Sequence, residues 1–445
     1  MIRPLLRKRD EAVARTSRRE FLKSSGAAAA LSLLPGCITE PAPPANAGRV
    51  VVIGGGYGGA TAAKYLRMWS GGAIEVVLVE REAEFVSCPA SNLVIGGTRT
   101  LADITRSYAK LGDYGVRVIR DEATRIDPEG KKVSLKRGAD LPYDRLVLSP
   151  AVDLMFGEIE GYDEDARKTV LTAWRAGPET AGLRRQLESM RDGGVFVITV
   201  PLAPFRCPPG PYEHVCQAAF YFKQAKPRSK VLVLDANEDL VSKPTLFKAA
   251  WSELYKGLIE YSNNTEVKGL DARAKAVKTD FDTIKGDVLN VLPPMRAADI
   301  ARNAGLMTGG TRWCGVDWLS MESLAHKGIH VLGDATLSAP AMPKSGHMAN
   351  NHAKLAAAAI IELMNGREPD PQPVIANTCY SYVSDREVIH VASVHRYDPV
   401  QKTMMVVPGT AGVSPARSEL EGAYAQAWAR NIWADSARPC TWRGI

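Results

Sequence analysis

Between positions 49 and 80 the hydrophobic pattern changes period twice. Residues 50–53 form an unbroken apolar run that ends at Gly54-Gly55-Gly56-Tyr57-Gly58-Gly59. Such a run predicts a strand buried on both faces. Residues 60–69 then carry helical spacing, and residues 74–79 form a second apolar run closed by Glu80. Strand, glycine turn, helix, strand and acid in this order predict a βαβ unit, with G-x-G-x-x-G at Gly54, Gly56 and Gly59. The glycines let the backbone approach a pyrophosphate lying on the helix N-terminus. Glu80 is then in place to accept hydrogen bonds from an adenosine ribose.

Two later segments narrow the dinucleotide to FAD. Tyr143-Asp144-Arg145-Leu146-Val147-Leu148-Ser149-Pro150 reads as a strand entering a small-residue turn. Gly328-Ile329-His330-Val331-Leu332-Gly333-Asp334-Ala335 reads as a strand ending in Gly333-Asp334. In two-dinucleotide-domain flavoproteins such an Asp holds the flavin ribityl chain; an ordinary helix N-cap is the alternative for Asp334. Residues 194–200 and 230–234 add two buried strands, the second ending at Asp235, in the spacing of a second nucleotide domain. The turn between them, however, is Pro201-Leu202-Ala203-Pro204-Phe205-Arg206-Cys207-Pro208-Pro209-Gly210-Pro211. Proline offers no N–H to a phosphate and fixes φ, so no NAD(P)H is expected there.

From Pro369 proline and glycine breaks recur, and residues 419–433 read as a helix. Leu420, Tyr424 and Trp428 recur every four residues and share a face. That face either packs on the body or a subunit, or stands beside the cofactor. The expected fold class is α/β, a glutathione-reductase-like pair of Rossmann domains with a small α+β C-terminal domain. Its parts are a first FAD segment (48–165), a second Rossmann-like domain (166–290), a returning FAD segment (291–368) and a C-terminal interface domain (369–445).

The N-terminus changes the cellular picture. Ser17-Arg18-Arg19-Glu20-Phe21-Leu22-Lys23 resembles a twin-arginine export signal, followed by an apolar run at 26–34 and a small-residue cleavage site, Ala45-Asn46-Ala47. The run is far short of the ~20 residues of a membrane span. Twin-arginine export carries folded cargo, which suits a cofactor loaded before transport, so a periplasmic protein is expected. Leu34-Pro35-Gly36-Cys37 offers a competing lipoprotein reading in which Pro35 is awkward. Removing residues 1–47 takes away eight basic and four acidic groups and leaves 48 against 45, so the net charge falls from +7 to +3. That surface does not call for nucleic acid. Of the seven cysteines, six remain if Cys37 is lost: Cys88, Cys207, Cys216, Cys314, Cys379 and Cys440. No Cys-x-x-Cys-His is present to attach a c-type haem, and no spacing suggests zinc. On residue type alone, Cys88, Cys207 and Cys379 stand in settings that ask for chemistry, and one pair of them could form a disulfide.

The chain resembles the flavoprotein subunit of flavocytochrome c sulfide dehydrogenase from about Arg49 to Ile432. The resemblance rests on the glycine turn, Ser91-Asn92 with Val94-Ile95-Gly96-Gly97, the string from Pro204 to Glu213, the Gly333-Asp334 segment, Pro343-Lys344-Ser345-Gly346 and Asn377-Thr378-Cys379-Tyr380-Ser381. It implies FAD held covalently through Cys88, and a redox-active disulfide between Cys207 and Cys379. Glu213 would act as an acid/base group, Trp428 would lie close to the flavin, and Lys344 would add charge near it. The resemblance further implies oxidation of sulfide to a persulfide, polysulfide or zero-valent sulfur, with electrons passed to haem c on a cytochrome partner chain. Cys216 and Cys440 are expected to be bystanders, and Cys314 has no assigned role. Rival readings are a sulfide:quinone oxidoreductase-like flavoprotein and a non-catalytic electron- or sulfur-transfer partner of a sulfur-oxidation complex.

Overall fold

The computed structural model describes residues 47–437. The twin-arginine string, Cys37 and Cys440 lie outside the described residues. In chain order β1 (Arg49–Ile53), α1 (Tyr57–Trp69), β2 (Glu75–Glu80), β3 (Arg117–Arg120) and β4 (Arg145–Leu148) come first. Next come β5 (Val195–Val200), α2 (Gly210–Ala225), β6 (Lys230–Asp235), β7 (Ile259–Ser262) and β8 (Val288–Asn290). The chain then runs through β9 (Ile329–Val331), α3 (Gly346–Met364), β10 (Val374–Tyr382), β11 (Val388–Asp398), β12 (Thr403–Val406) and α4 (Glu419–Ala437).

The first sheet is parallel throughout, in the order β9-β4-β1-β2-β3. Val51 at its centre pairs with Val77 on one side and Leu146 on the other, and all three are fully buried. A strand with neighbours on both edges and both faces covered has no polar side, hence the unbroken apolar runs. β9 is the chain's late return to this sheet, which makes the first domain discontinuous. The second parallel sheet, β7-β6-β5-β8, carries the proline turn between β5 and α2. The proline and glycine breaks after 369 separate strands of an antiparallel sheet built on β10, β11 and β12. The helix after the glycine turn starts at Tyr57, directly behind Gly56, rather than at Ala60.

The C-terminal helix packs on a face other than the one its four-residue spacing suggests. Leu420 and Tyr424 are 62% and 52% exposed, whereas Ala425, Ala429, Ile432 and Trp433 are buried. Alanines permit close approach, and a Cβ on Gly422 would lie only 2.0 Å from Arg386 O. Trp433 fixes the far end. Its indole N–H donates to Ser87 Oγ at 2.9 Å and to Tyr57 Oη at 3.1 Å, and the Arg106 guanidinium stacks on its ring at 3.8 Å. Two residues on, Asp435 meets Lys354 Nζ at 2.7 Å and Asn350 Nδ2 at 2.9 Å, and accepts a hydrogen bond from Tyr65. Asp435→Ala strips a half-buried lysine and two donors of one acceptor group, and should lower stability by about 1–3 kcal/mol, read as a lower melting temperature.

Candidate active site

The two parallel sheets and the antiparallel sheet meet around one cavity of about 830 Å³, within the size range of cofactor sites. At one end lies the glycine turn. A Cβ on Gly59 would fall 1.7 Å from Gly54 O, and one on Gly54 would fall 2.3 Å from Ser149 O. Both positions therefore exclude a side chain. Gly56 differs, because a Cβ there meets nothing within 4 Å. It lines the cavity and is the N-cap of α1, so its missing side chain leaves an open cradle in front of the helix amides. Glu80 closes this end, its carboxylate accepting from Gly55 N at 2.6 Å and Glu82 N at 2.9 Å.

The Gly333-Asp334 turn also lines the cavity. Gly333 has φ +69°, and its N–H donates to His352 Nδ1 at 3.2 Å. Asp334 is not a helix N-cap; it lies inside a short 3-10 turn, Gly333–Ala335. Its Oδ1 is buried without a partner among the described residues, and Oδ2 lies 3.9 Å from Arg206 Nε. Burial raises this carboxyl above its ordinary pKa, while Arg206 and Lys344 oppose the rise. An orphaned acceptor at the cavity wall and an open cradle before the helix amides are the features a ribityl hydroxyl and a pyrophosphate would satisfy. The residues fit FAD.

Lys344 lines the cavity, with its ammonium held beside the Gly333-Asp334 turn. Nζ donates to Asp334 O at 3.1 Å and to Thr336 O, and lies 3.7 Å from the centre of the Trp313 ring. Burial pulls its pKa down to about 8. Its contacts brace the Gly333-Asp334 turn. Ser345 beside it caps α3, accepting from Met348 N at 3.1 Å, and this helix N-terminus also opens on the cavity.

The sulfur end is assembled from three distant segments. Cys207 has φ +56°, unusual for a residue with a Cβ, and its N–H donates to Lys344 O at 2.8 Å. Gly210 opens α2 against it, since a Cβ there would stand 3.1 Å from Cys207 Sγ and 2.7 Å from the Trp174 ring. Cys379 lies on β10, in register with Val391, and lines the same cavity. The two cysteines stand as separate thiols, where the resemblance implies a bond between them. Burial pushes both thiols up, Cys207 well above its ordinary range, and the charges of Cys379 and Glu213 push Cys207 further. Glu213, 8% exposed on the first turn of α2, accepts from Tyr382 N at 2.9 Å. Burial raises its carboxyl to about 7.

Cys88, half-buried on the cavity wall, accepts from Arg206 Nη2 at 2.6 Å. Trp428 lines the cavity edge-on to His347, with ring centres 5.6 Å apart, and lies 6.0 Å from the Tyr380 ring. Cys216 and Cys314 are buried elsewhere; Cys216 takes the Trp251 indole N–H at 3.2 Å. At the end of β6, Asp235 is fully buried and occupied on both oxygens. Tyr212 Oη and Tyr261 Oη donate to Oδ2 at 2.8 and 3.2 Å, and the Asn237 backbone and side chain donate to Oδ1.

Sequence reasoning left out two cations, Arg206 and Lys243. Arg206 is adjacent to Cys207 in the quoted turn, so proximity could have marked it. Nothing in the local sequence marks Lys243 as buried.

Three family models match the chain in succession. Pyridine nucleotide-disulphide oxidoreductase covers residues 48–176, the central part of the sulfide dehydrogenase [flavocytochrome c] flavoprotein chain covers 180–293, and the flavin-binding part of flavocytochrome c sulphide dehydrogenase covers 371–436. The sulfide dehydrogenase [flavocytochrome c] flavoprotein chain of Chlorobaculum thiosulfatiphilum is 59% identical over 46 residues, 10% of this chain and 94% of that one. A mitochondrial sulfide:quinone oxidoreductase of Dictyostelium discoideum is 25% identical over 301 residues, 65% of this chain and 66% of its own length. The match thus spans just under two thirds of that relative. Among solved structures, the sulfide:quinone oxidoreductase of Aquifex aeolicus superposes with a TM-score of 0.72 at 18% identity, over 88% of this chain and 93% of that one.

Two outcomes test the site. Gly59→Ala should lower the melting temperature of the flavin-free chain, whereas Gly56→Ala should leave it unchanged and weaken FAD binding, measured by fluorescence titration in a Cys88→Ala background. For Glu213, the folded protein holds a proton that the unfolded chain releases near pH 4.5. Stability contributed by the neutral carboxyl is therefore lost as pH rises from about 4.5 to about 7. Glu213→Gln should become progressively more stable than wild type over that window in denaturant titrations, and the difference should level off above it.

Proposed function

Because the chain belongs to the family of sulfide dehydrogenase [flavocytochrome c] flavoprotein chains, we propose that it is the sulfide-oxidising flavoprotein of a periplasmic complex whose electrons leave to a separate c-type cytochrome. The observation that carries this reading is the convergence of Cys207, Cys379 and Glu213 on the cavity that also holds the glycine turn and Cys88. Gly54, Gly56, Gly59, Glu80, Gly333 and Asp334 would hold FAD, and Cys88 would carry it covalently. When bound, FAD supplies an acceptor that takes two electrons and returns them singly, as transfer to a haem requires.

The chain's own part is sulfur and proton handling. In the oxidised protein Cys207 and Cys379 are joined; hydrosulfide attacks one sulfur, a new S–S bond forms, the old one breaks, and the electron pair goes to the departing thiolate. Glu213, raised to about 7 by burial, is poised to take or return a proton beside these sulfurs near neutral pH. The proline turn and the occupied Asp235 support electron entry from sulfide rather than NAD(P)H. Among the described residues no helix is long and apolar enough to cross a membrane. The twin-arginine string supports export after cofactor loading.

Anaerobic sulfide should remove the flavin absorbance, and cytochrome c rather than a quinone should restore it. Rapid loss with NADH, or restoration by quinone alone, would contradict the reading. Cys207→Ser and Cys379→Ser should each cut sulfide-dependent cytochrome c reduction by more than about 100-fold with the flavin still attached. Cys88→Ala should release FAD on acid precipitation, where the wild type keeps it.

A further inference from the structure

One buried cation at the sulfur end has no part in the account so far. Lys243 is 5% exposed, stands at φ +52° ahead of the helix Pro244–Leu254, and turns its ammonium under β10. Nζ donates to Ser381 Oγ at 2.8 Å, to Cys379 O at 3.2 Å and to Ile389 O at 3.5 Å. Every one of these acceptors is neutral. Burying an ammonium among neutral acceptors is costly, and nearby negative charge relieves the cost. Burial depresses the Lys243 pKa, and the groups that oppose this are Cys379 first, then Glu213, Cys207 and Glu421. Glu421 is already engaged by His390 Nδ1 at 2.9 Å and Ser414 Oγ at 2.6 Å.

The two sulfurs are served unequally. Cys379 faces Lys243 and Glu213, and Lys243 opposes the upward push of burial on its thiol. Cys207 faces Cys379, Glu213, Arg206 and Cys88, and acts on Lys243 less strongly than Cys379 does. Its cation, Arg206, also serves Cys88 Sγ at 2.6 Å, Trp174 O at 3.0 Å and Asp334 at 3.9 Å. Negative charge arriving at the pair is therefore better received on Cys379.

We infer that Lys243 is a positioning residue that makes Cys379 the departing sulfur, so that hydrosulfide adds to Cys207; this rests on the Cys207–Cys379 disulfide proposed above. In the step, HS⁻ bonds to the Cys207 sulfur, the Cys207–Cys379 bond breaks, and its electron pair stays on Cys379 as thiolate. The proton remains on the terminal sulfur of the Cys207 persulfide. Atoms and electrons balance without a further reagent. A thiolate leaves faster the better its charge is stabilised, and Lys243 supplies that stabilisation from the face of β10 that Cys379 shares with Ser381.

The test uses the full-length holoprotein. In the reduced protein, iodoacetamide labelling of each cysteine is followed against pH by peptide mass mapping. Lys243→Gln should raise the labelling midpoint of Cys379 by about one pH unit or more and that of Cys207 by clearly less, and Lys243→Arg should return both. No shift, or an equal shift of both cysteines, overturns the inference. A second arm needs no variant: oxidised wild type is given one equivalent of sulfide without oxygen and trapped with iodoacetamide. The extra sulfur is expected on the Cys207 peptide, with Cys379 labelled as a plain thiol. Extra sulfur on Cys379 overturns the inference. Extra sulfur on neither cysteine, with the Cys379 midpoint still shifted by Lys243→Gln, contradicts the disulfide reading instead.

Discussion

Lys344 ties the site together at both ends of its residue. Its carbonyl takes the Cys207 N–H at 2.8 Å, while its ammonium reaches Asp334 O at 3.1 Å, Thr336 O and the Trp313 ring. The proline turn of the second sheet, the Gly333-Asp334 turn of the first and the start of α3 are thus fixed to one residue. The bond to Cys207 matters because that residue has φ +56°, a conformation that costs on the order of 1–3 kcal/mol and persists only where its surroundings hold it. With the turn so held, Cys207 stands in the cavity that Cys379 reaches from β10.

The charges around the sulfurs follow from the same enclosure. Burial disfavours ionisation of Cys207, Cys379, Glu213 and Asp334 alike. The cations set among them, Arg206, Lys243 and Lys344, decide where negative charge is tolerated. Arg206 is shared between the Cys88 sulfur and the Asp334 carboxylate; Lys243 serves the Cys379 strand. A solvent-exposed site would level these differences, whereas an enclosed one keeps them.

Much of this was legible in the sequence where chemistry is local. Gly54, Gly59 and Glu80 sit in a turn whose spacing is dictated by backbone approach, and β1, β2 and β4 announced themselves as apolar runs because both faces are covered. The proline turn is legible too, because prolines stand where a phosphate loop would need N–H donors. What stayed hidden depends on tertiary contact. The spacing of Leu420, Tyr424 and Trp428 pointed to one helix face, but packing chose Ala425, Ala429 and Trp433, because small residues permit the approach that Gly422 enforces. Lys344 is legible as a cation of the site, but the carbonyls at 334 and 336 that hold its ammonium are not. Lys243 has no local signature, since its burial comes from strands more than 130 residues away. Cys207 and Cys379 were brought together by resemblance alone, and the fold supplies the physical reason, a turn and a strand opening on one cavity.

The central claim is that Cys207 and Cys379 form one redox couple in this cavity. A peptide map of the air-oxidised, full-length holoprotein, run without reductant, tests it most directly. The account predicts a cross-linked pair of peptides carrying Cys207 and Cys379, with Cys216 and Cys314 free and labelled only after denaturation. Cys207 bonded to Cys88, or Cys207 and Cys379 both recovered as independent thiols after oxidation, would contradict it.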